Sequence, residues 1–546
     1  MTDPGPPGAA PGSAIAVEER PSTDGGAERA EAEGAGGDRR RGLDARPGLP
    51  VVILVAAYGL SRVIAAIAGV RFDDSPLRAT KLTDMWQLLD LGQLRDHLAT
   101  SVWHLNMQPP LFNLYVGFLL KLPDGLRRPV EVVGSLALGL LIVVCTYLLM
   151  VELRVPRVAA LVVTLVCVVA SPAYLLYENW LDYAYPTAAL GTFGAWTLIR
   201  FLRTRRARYG VGFFGAYAGV VLLNSSYQIE WLLVAAVPVV IVLRRQWRTV
   251  LAVAAVPVLV VAGWYVKDYV QVGTTTTSSW LGMNLARSVL FRAPADQIAE
   301  LQRQGRMNAV ASIPPFAPPT TYSPRYVRAR PSPVAAVGDL YKVDGSPNYN
   351  NPLYAEVSSQ YLHDDLAWIR AHPRAYADDV IGSLGVWFVG TDQNFTNSVD
   401  WPAVRSYARF YDRAVEWQPT QDPAPAFVLF ARGWHRPEWL SGQAMAVYAL
   451  AIFGAPILAW RRRRADPALA GTVLVLWWTT AYALAASSLL EIGENERFRS
   501  ELGPVPTVLA VVVATAVVRA VWSRRERTER GDTSSTGSVP TPARPA

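Results

Sequence analysis

A chain of 546 residues that is 51% hydrophobic and only 18% charged departs from ordinary globular composition toward the membrane class. Its net charge of +8 is held in short basic clusters beside apolar runs rather than on an aromatic-interleaved stripe, which argues against a nucleic-acid partner. There is no Walker loop, dinucleotide glycine fingerprint, HExxH or GxSxG, so nucleotide-driven transport, redox chemistry and the common hydrolase classes lack support.

Residues 1–47 are rich in Gly, Pro, Ala and charge and carry no hydrophobic period, which reads as a disordered cytoplasmic tail. The first apolar run, Val51–Val70, follows that tail without a small-residue cleavage site and reads as a retained anchor. Val130–Leu149, Val158–Ala170 and Val505–Val518 likewise reach or approach the roughly 20 residues needed to cross a hydrocarbon core. Such runs must be helical, because lipid leaves unpaired backbone groups unsatisfied. Cys145 and Cys167 fall inside these spans, where they act as small apolar residues with no metal-ligand spacing.

Basic clusters at Arg39–Arg41, Arg203–Arg208, Arg244–Arg248, Arg461–Arg464 and Arg524–Arg530 are cytoplasmic by the positive-inside rule. Between the first two lie apolar stretches at about 50–70, 110–122, 130–152, 156–175 and 183–202, yet an even number must cross. Pro110–Leu122 is too short, and is flanked by Lys121, Arg127 and Arg128; it reads as a juxtamembrane helix on the outer face. Runs near 209–223, 229–243 and 249–266 bring the module 48–266 to about seven spans, with a first outer loop at 71–129. Residues 267–440 read as an extracytoplasmic loop or cap, Pro-rich over Ile313–Pro333 and amphipathic from Tyr349 to Phe388. Three further spans occupy 441–523, and 524–546 reads as a second disordered cytoplasmic tail. The expected fold is an all-α polytopic protein of the plasma membrane, with about ten transmembrane helices and both termini cytoplasmic.

On this topology the chemistry belongs to the outward-facing segments. Arg71-Phe72-Asp73-Asp74 leaves the first span, followed by Asp84, Asp90, Asp96 and Trp103-His104-Leu105-Asn106-Met107-Gln108-Pro109-Pro110-Leu111. A carboxylate at a membrane exit under apolar groups can serve as a general base or hold a cation; solvated surface charge is the plainer reading for Asp84 and Asp96. Glu178 and Asp182 stand on a short turn among four aromatic residues, an arrangement that suits stacking on sugar rings as well as an interfacial aromatic belt. Asn224–Glu230 makes another polar interruption, where Glu230 complements a helix start. Trp280 and Asn284 follow the seventh span and are within reach of the same cavity mouth, while His372, before Pro373, is a helix-start residue. Near the other end, Glu491-Ile492-Gly493-Glu494-Asn495-Glu496-Arg497-Phe498-Arg499 places two arginines on the outer side. Their planar forks suit a lipid phosphate, with pairing to Glu494 and Glu496 as the structural alternative.

An acidic residue just past the first helix, followed about thirty positions later by a Pro-Pro-Leu helix start, resembles the C-type (GT-C) membrane glycosyltransferases, among them protein O-mannosyltransferases and lipid A aminoarabinose transferases. The Glu494–Arg499 segment resembles the Glu/Asn-x-Arg-Phe-Arg stretch of several bacterial members, and His372-Pro373 the His-Pro element that opens a juxtamembrane helix. The resemblance implies a GT-C-like fold and an inverting-type transfer of sugar from a polyprenyl-phosphate donor to an envelope glycan, lipid or protein acceptor on the extracytoplasmic face. It implies that Asp73, with Asp74 beside it, is the catalytic base and that Arg497 and Arg499 hold the donor phosphate. His104, Gln108, Glu178, Asp182, Trp280, Asn284, His372 and Glu494 are then the candidate pocket residues. The family often carries His before the Pro-Pro pair, where this chain has Gln108 with His104 four positions earlier. Many members use a divalent cation, Mg or Mn, near the acidic loop. The alternatives are a lipid or solute transporter, which would show two related halves, and a non-catalytic membrane protein of envelope assembly.

Overall fold

A computed structural model describes residues 48–73, 85–290, 293–322, 326–327, 332–395, 398–419 and 440–535. Among these the regular structure is helical, with only isolated bridges such as that between Asp73 and Trp180. The helices that organise the site are α1 Leu49–Ala68, α2 Leu91–Asp96, α3 Leu98–Trp103, α4 Pro110–Leu120, α5 Asp124–Glu152, α6 Arg157–Val169, α7 Pro172–Glu178, α8 Ala184–Thr204, α9 Ala207–Leu223, α10 Ile229–Val242, α11 Trp247–Val272, α12 Leu281–Val289 and α13 Ala295–Arg303. They continue as α14 Pro352–Ala371, α15 Pro373–Phe388, α16 Trp401–Tyr411, α17 Gly442–Arg462, α18 Pro467–Leu490, α19 Asn495–Glu501 and α20 Val505–Ser535.

Six helical segments are long and apolar enough to cross a membrane, and α6 with α7 makes a seventh if that pair, bent by 57°, is one span. The bend falls where Pro172 opens a new helix behind Ser171, whose side chain caps it; proline lacks the N–H that would continue the ladder. The expected count of ten includes α8, α9 and α10, which are helical but shorter or less apolar than those segments. Pro110–Leu120 is a helix of 11 residues, too short to span, as expected. Two boundaries move outward: α11 continues beyond position 266 to Val272, and α20 runs through the basic cluster to Ser535 rather than ending near 523.

The apolar faces mark the solvent. Ile67 and Val270 are 81% and 77% exposed, and the outer surfaces of α1 and α11 are lined by such residues. Large contiguous apolar surfaces of this kind are matched by lipid rather than water. One end of the bundle is fixed by an ion-pair network: Glu152 accepts from Arg200 at 2.7 Å and Arg203 at 3.0 Å, and Asp466 from Arg154 at 2.9 Å. Asp466 also caps the start of α18, whose 24 residues at about 1.5 Å rise put its far end roughly 36 Å away. That far end carries the candidate site.

Between α11 and α17, helices α12 and α15 pack against α18. α12 crosses α14 so closely that a Cβ on Gly282 would stand 1.8 Å from the Ser358 carbonyl oxygen. The Ser358 hydroxyl accepts from the Gly282 and Met283 amides at 3.0 and 3.3 Å, so the crossing also satisfies the orphan donors of α12.

Candidate functional site

A cavity of about 530 Å³ opens at the end of the bundle where α18 finishes. One wall is a folded loop. Asn350 accepts the Asn106 amide at 2.7 Å and donates to the His104 carbonyl at 3.0 Å. Ser279 donates through its amide and hydroxyl to Asn106, both at 2.9 Å, and the Ser278 hydroxyl reaches the Met107 carbonyl at 2.6 Å. These bonds hold Gln108 beside Trp280, and both line the cavity. Trp280, Phe316, Trp86 and Tyr349 pack with centroids 5.2 to 5.6 Å apart, and all but Tyr349 reach the lining.

The opposite wall is built by the turn between α18 and α19. Gly493 adopts φ +104°, a left-handed conformation natural only to glycine. Its amide donates to the Asn495 side chain at 3.1 Å, which in turn donates to the Ser487 carbonyl at 3.0 Å. The turn thereby presents Glu491, Glu494 and Arg497 to the cavity. Arg497 is buried, with Nη1 donating to the Tyr183 hydroxyl at 2.8 Å and to Glu501 at 3.2 Å, and Nε donating to Glu494 at 3.0 Å. A second guanidinium, Arg287, enters from α12 and pairs with Glu491 at 3.3 Å.

Burial drives the local titration. It pushes Asp182 up to about 6 against the opposing charge of Arg497, and Glu491 up to about 7 against that of Arg287. At the half-exposed Glu494, desolvation is outweighed by the charges of Arg497 and Arg287, which hold the carboxyl below its usual value. The result is a wall of two guanidiniums, each paired with a carboxylate, in a cavity that also has an aromatic wall.

Of the residues selected from the sequence, Gln108, Trp280, Asn284, Glu494 and Arg497 line this cavity together. Asp182 stands behind it, accepting the Ala184 amide at 2.7 Å. Asp73 pairs through its main chain with Asn179 and Leu181, next to Asp182 in sequence but not among the lining residues; Asp74 lies outside the described residues. Arg499 faces away from Arg497: its Nη2 donates to the Val389 carbonyl at 2.7 Å, and it lines a separate cavity of about 90 Å³ with Glu416. Glu178 is buried in a bidentate pair with Arg62, at 2.9 and 2.8 Å, with hydroxyls of Tyr58 and Tyr185 on the same carboxylate. His104 closes α3 with Nδ1 2.9 Å from the Thr100 carbonyl, and His372 stacks on Trp368 between α14 and α15. Neither histidine lines the cavity.

Sequence reasoning missed Arg287, Glu491, Tyr183 and Trp86. Arg287 carried a usable signal: positions 280, 284 and 287 follow helical spacing, so any helix that aims Trp280 and Asn284 at a cavity aims Arg287 there as well.

Among the described residues no three His, Cys, Asp or Glu side chains are grouped to hold a metal ion. Glu491 and Glu494 face guanidinium partners, while Asp74 and Asp84 of the acidic loop, near which the resemblance puts a divalent cation, lie outside the described residues.

No protein-family model matches this chain, and no curated protein does. Among solved structures, a crystal structure of ArnT from Cupriavidus metallidurans bound to undecaprenyl phosphate is similar at 15% identity, over 81% of this chain and 78% of that one, with a TM-score of 0.30. At that score the superposition transfers no residue role from one chain to the other.

Proposed function

We propose that the protein is a membrane glycosyltransferase that moves a sugar from a polyprenyl-phosphate donor to a hydroxyl of an envelope acceptor. The observation that carries this reading is the buried Arg497, whose guanidinium meets a cavity of about 530 Å³ at the ends of membrane-length helices. A lipid phosphate brings an anion to just such a boundary, where a fork of N–H donors binds two oxygens and never deprotonates. The aromatic wall formed by Trp86, Trp280 and Phe316 supplies stacking surface for a sugar ring, and Gln108 and Asn284 supply hydroxyl partners.

In the proposed reaction an acceptor hydroxyl oxygen attacks the anomeric carbon on the face opposite the phosphate. The carbon–oxygen bond to the phosphate breaks, its electron pair leaves on the polyprenyl phosphate, and the hydroxyl proton passes to a carboxylate base, the role that the resemblance gives to Asp73 or Asp74 of the first outer loop, of which Asp73 lies outside the cavity lining. Arg497 and Arg287 stabilise the charge that develops on the leaving phosphate. The positive-inside rule supports an extracytoplasmic site, since the basic residues Arg200 and Arg203 lie with Asp466 at one end of α18 and the cavity lies at the other.

The test is transfer of radiolabelled sugar from a polyprenyl-phosphate donor in membranes carrying the wild-type chain, Arg497→Met or Asp73→Asn. The reading expects transfer with the wild type and strong loss in each variant. Full transfer by both variants would show that these residues do not perform the assigned steps.

A further inference from the structure

We propose that Glu494 is an exchangeable counter-ion: it occupies the cavity-facing edge of Arg497 until a phosphate takes that edge, and its return helps the product phosphate to leave. The inference rests on the donor chemistry proposed above and assigns a further positioning residue to it.

The two edges of Arg497 are held unequally. On the inner edge, Nη1 is shared by the Tyr183 hydroxyl and Glu501. Glu501 is only 2% exposed and is itself fixed by the Asn224 side-chain amide at 2.7 Å. On the outer edge, Nε and Nη2 both converge on a single oxygen of Glu494, at 3.0 and 2.8 Å. The Glu494 side chain is 44% exposed and lines the cavity. The guanidinium is therefore oriented by buried partners that do not depend on Glu494, while the edge that matches two phosphate oxygens carries one carboxylate oxygen. Two parallel N–H···O bonds to a phosphate are the better fit to that edge.

Position in the chain makes the exchange feasible. Glu494 is the residue before α19, just after the turn at Gly493. It can leave Arg497 without unwinding the helix, whereas Glu501 lies within it.

Charge bookkeeping gives the exchange a direction. A sugar–phosphate–polyprenyl donor is a phosphodiester with one negative charge, so replacing the Glu494 carboxylate by the donor leaves the charge on Arg497 balanced. Once the sugar departs, the carrier is a phosphomonoester whose second ionisation lies near pH 6. It gains charge and binds the arginines more tightly. Glu494, displaced but still beside it, then repels the product and competes for the same edge.

The experiment measures binding of polyprenyl phosphate to the detergent-purified full chain, as wild type, Glu494→Gln and Glu494→Ala, together with single- and multiple-turnover transfer. Both substitutions fall on a half-exposed side chain, and thermal unfolding reports whether each variant is folded. The inference expects both variants to bind polyprenyl phosphate at least tenfold more tightly, with the multiple-turnover rate reduced by a larger factor than the single-turnover rate. Unchanged or weaker binding in both variants, alongside wild-type binding, would overturn the role of Glu494. No binding by the wild type would overturn the donor reading itself.

Discussion

Replacing Arg497 by lysine separates charge from geometry. Arginine reaches Tyr183, Glu501 and Glu494 from three nitrogens, so one edge is anchored while the other faces the cavity. A lysine ammonium is a single point that cannot serve both edges. The buried Glu501 keeps a cation nearby, so the expected outcome is a folded protein with a weakened phosphate grip. Losing one charge-assisted hydrogen bond to the phosphate costs about 1.5–3 kcal/mol, or about a 10- to 150-fold fall in transfer efficiency at roughly 1.4 kcal/mol per tenfold. Initial rates across donor concentration, with unfolding followed by tryptophan fluorescence, check both parts. Wild-type efficiency in a folded Arg497→Lys protein would refute the idea that the fork of Arg497 grips the donor.

Other perturbations probe the scaffold. Glu178→Gln leaves Arg62 without its buried counter-charge, and should lower stability by about 3–5 kcal/mol without changing donor affinity in the protein that remains folded; detergent-titrated unfolding reads this. At Gly139, an added Cβ would lie 2.3 Å from the Tyr58 hydroxyl and 2.4 Å from Glu178, so Gly139→Ala should reproduce much of that loss. Gly282→Ala forces α12 from α14, with an overpacking cost of about 1–3 kcal/mol and a displaced Arg287; weaker donor binding is the readout. Glu496 is pushed up to about 8, first by burial, with Arg497 and Arg499 opposing the shift. Its folded value lies above the usual 4.5, so its contribution to stability is complete below about pH 4.5 and is lost as pH rises through about 8. The melting temperature should therefore be higher at pH 6 than at pH 9, and Glu496→Gln should flatten that slope.

Much of the helical plan was legible because it is local. Apolar runs such as Val130–Leu149 have no stable alternative to helix in lipid, and each reappears within a helix, here α5. The shortness of Pro110–Leu120 and the polar interruption before Pro504 were equally readable. Side-chain partners distant in sequence were not. Glu178 looked like a sugar ligand because it stood among aromatic residues, yet its hydrogen bonds run to Arg62, 116 positions away. Arg287 and Glu491 are 204 positions apart, and no local pattern links them. Arg497 and Arg499 seemed equivalent as neighbours on one outer segment, but two residues along a helix turn by about 200°, so they face different cavities.

The most direct measurement is reconstitution of the purified full chain in liposomes with a polyprenyl-phosphate-linked radiolabelled sugar and an envelope extract as acceptor. The account predicts sugar leaving the carrier with matching release of polyprenyl phosphate, abolished by Arg497→Met in a folded protein. Donor that stays intact across a panel of sugars, or release that proceeds unchanged without the Arg497 guanidinium, would contradict it.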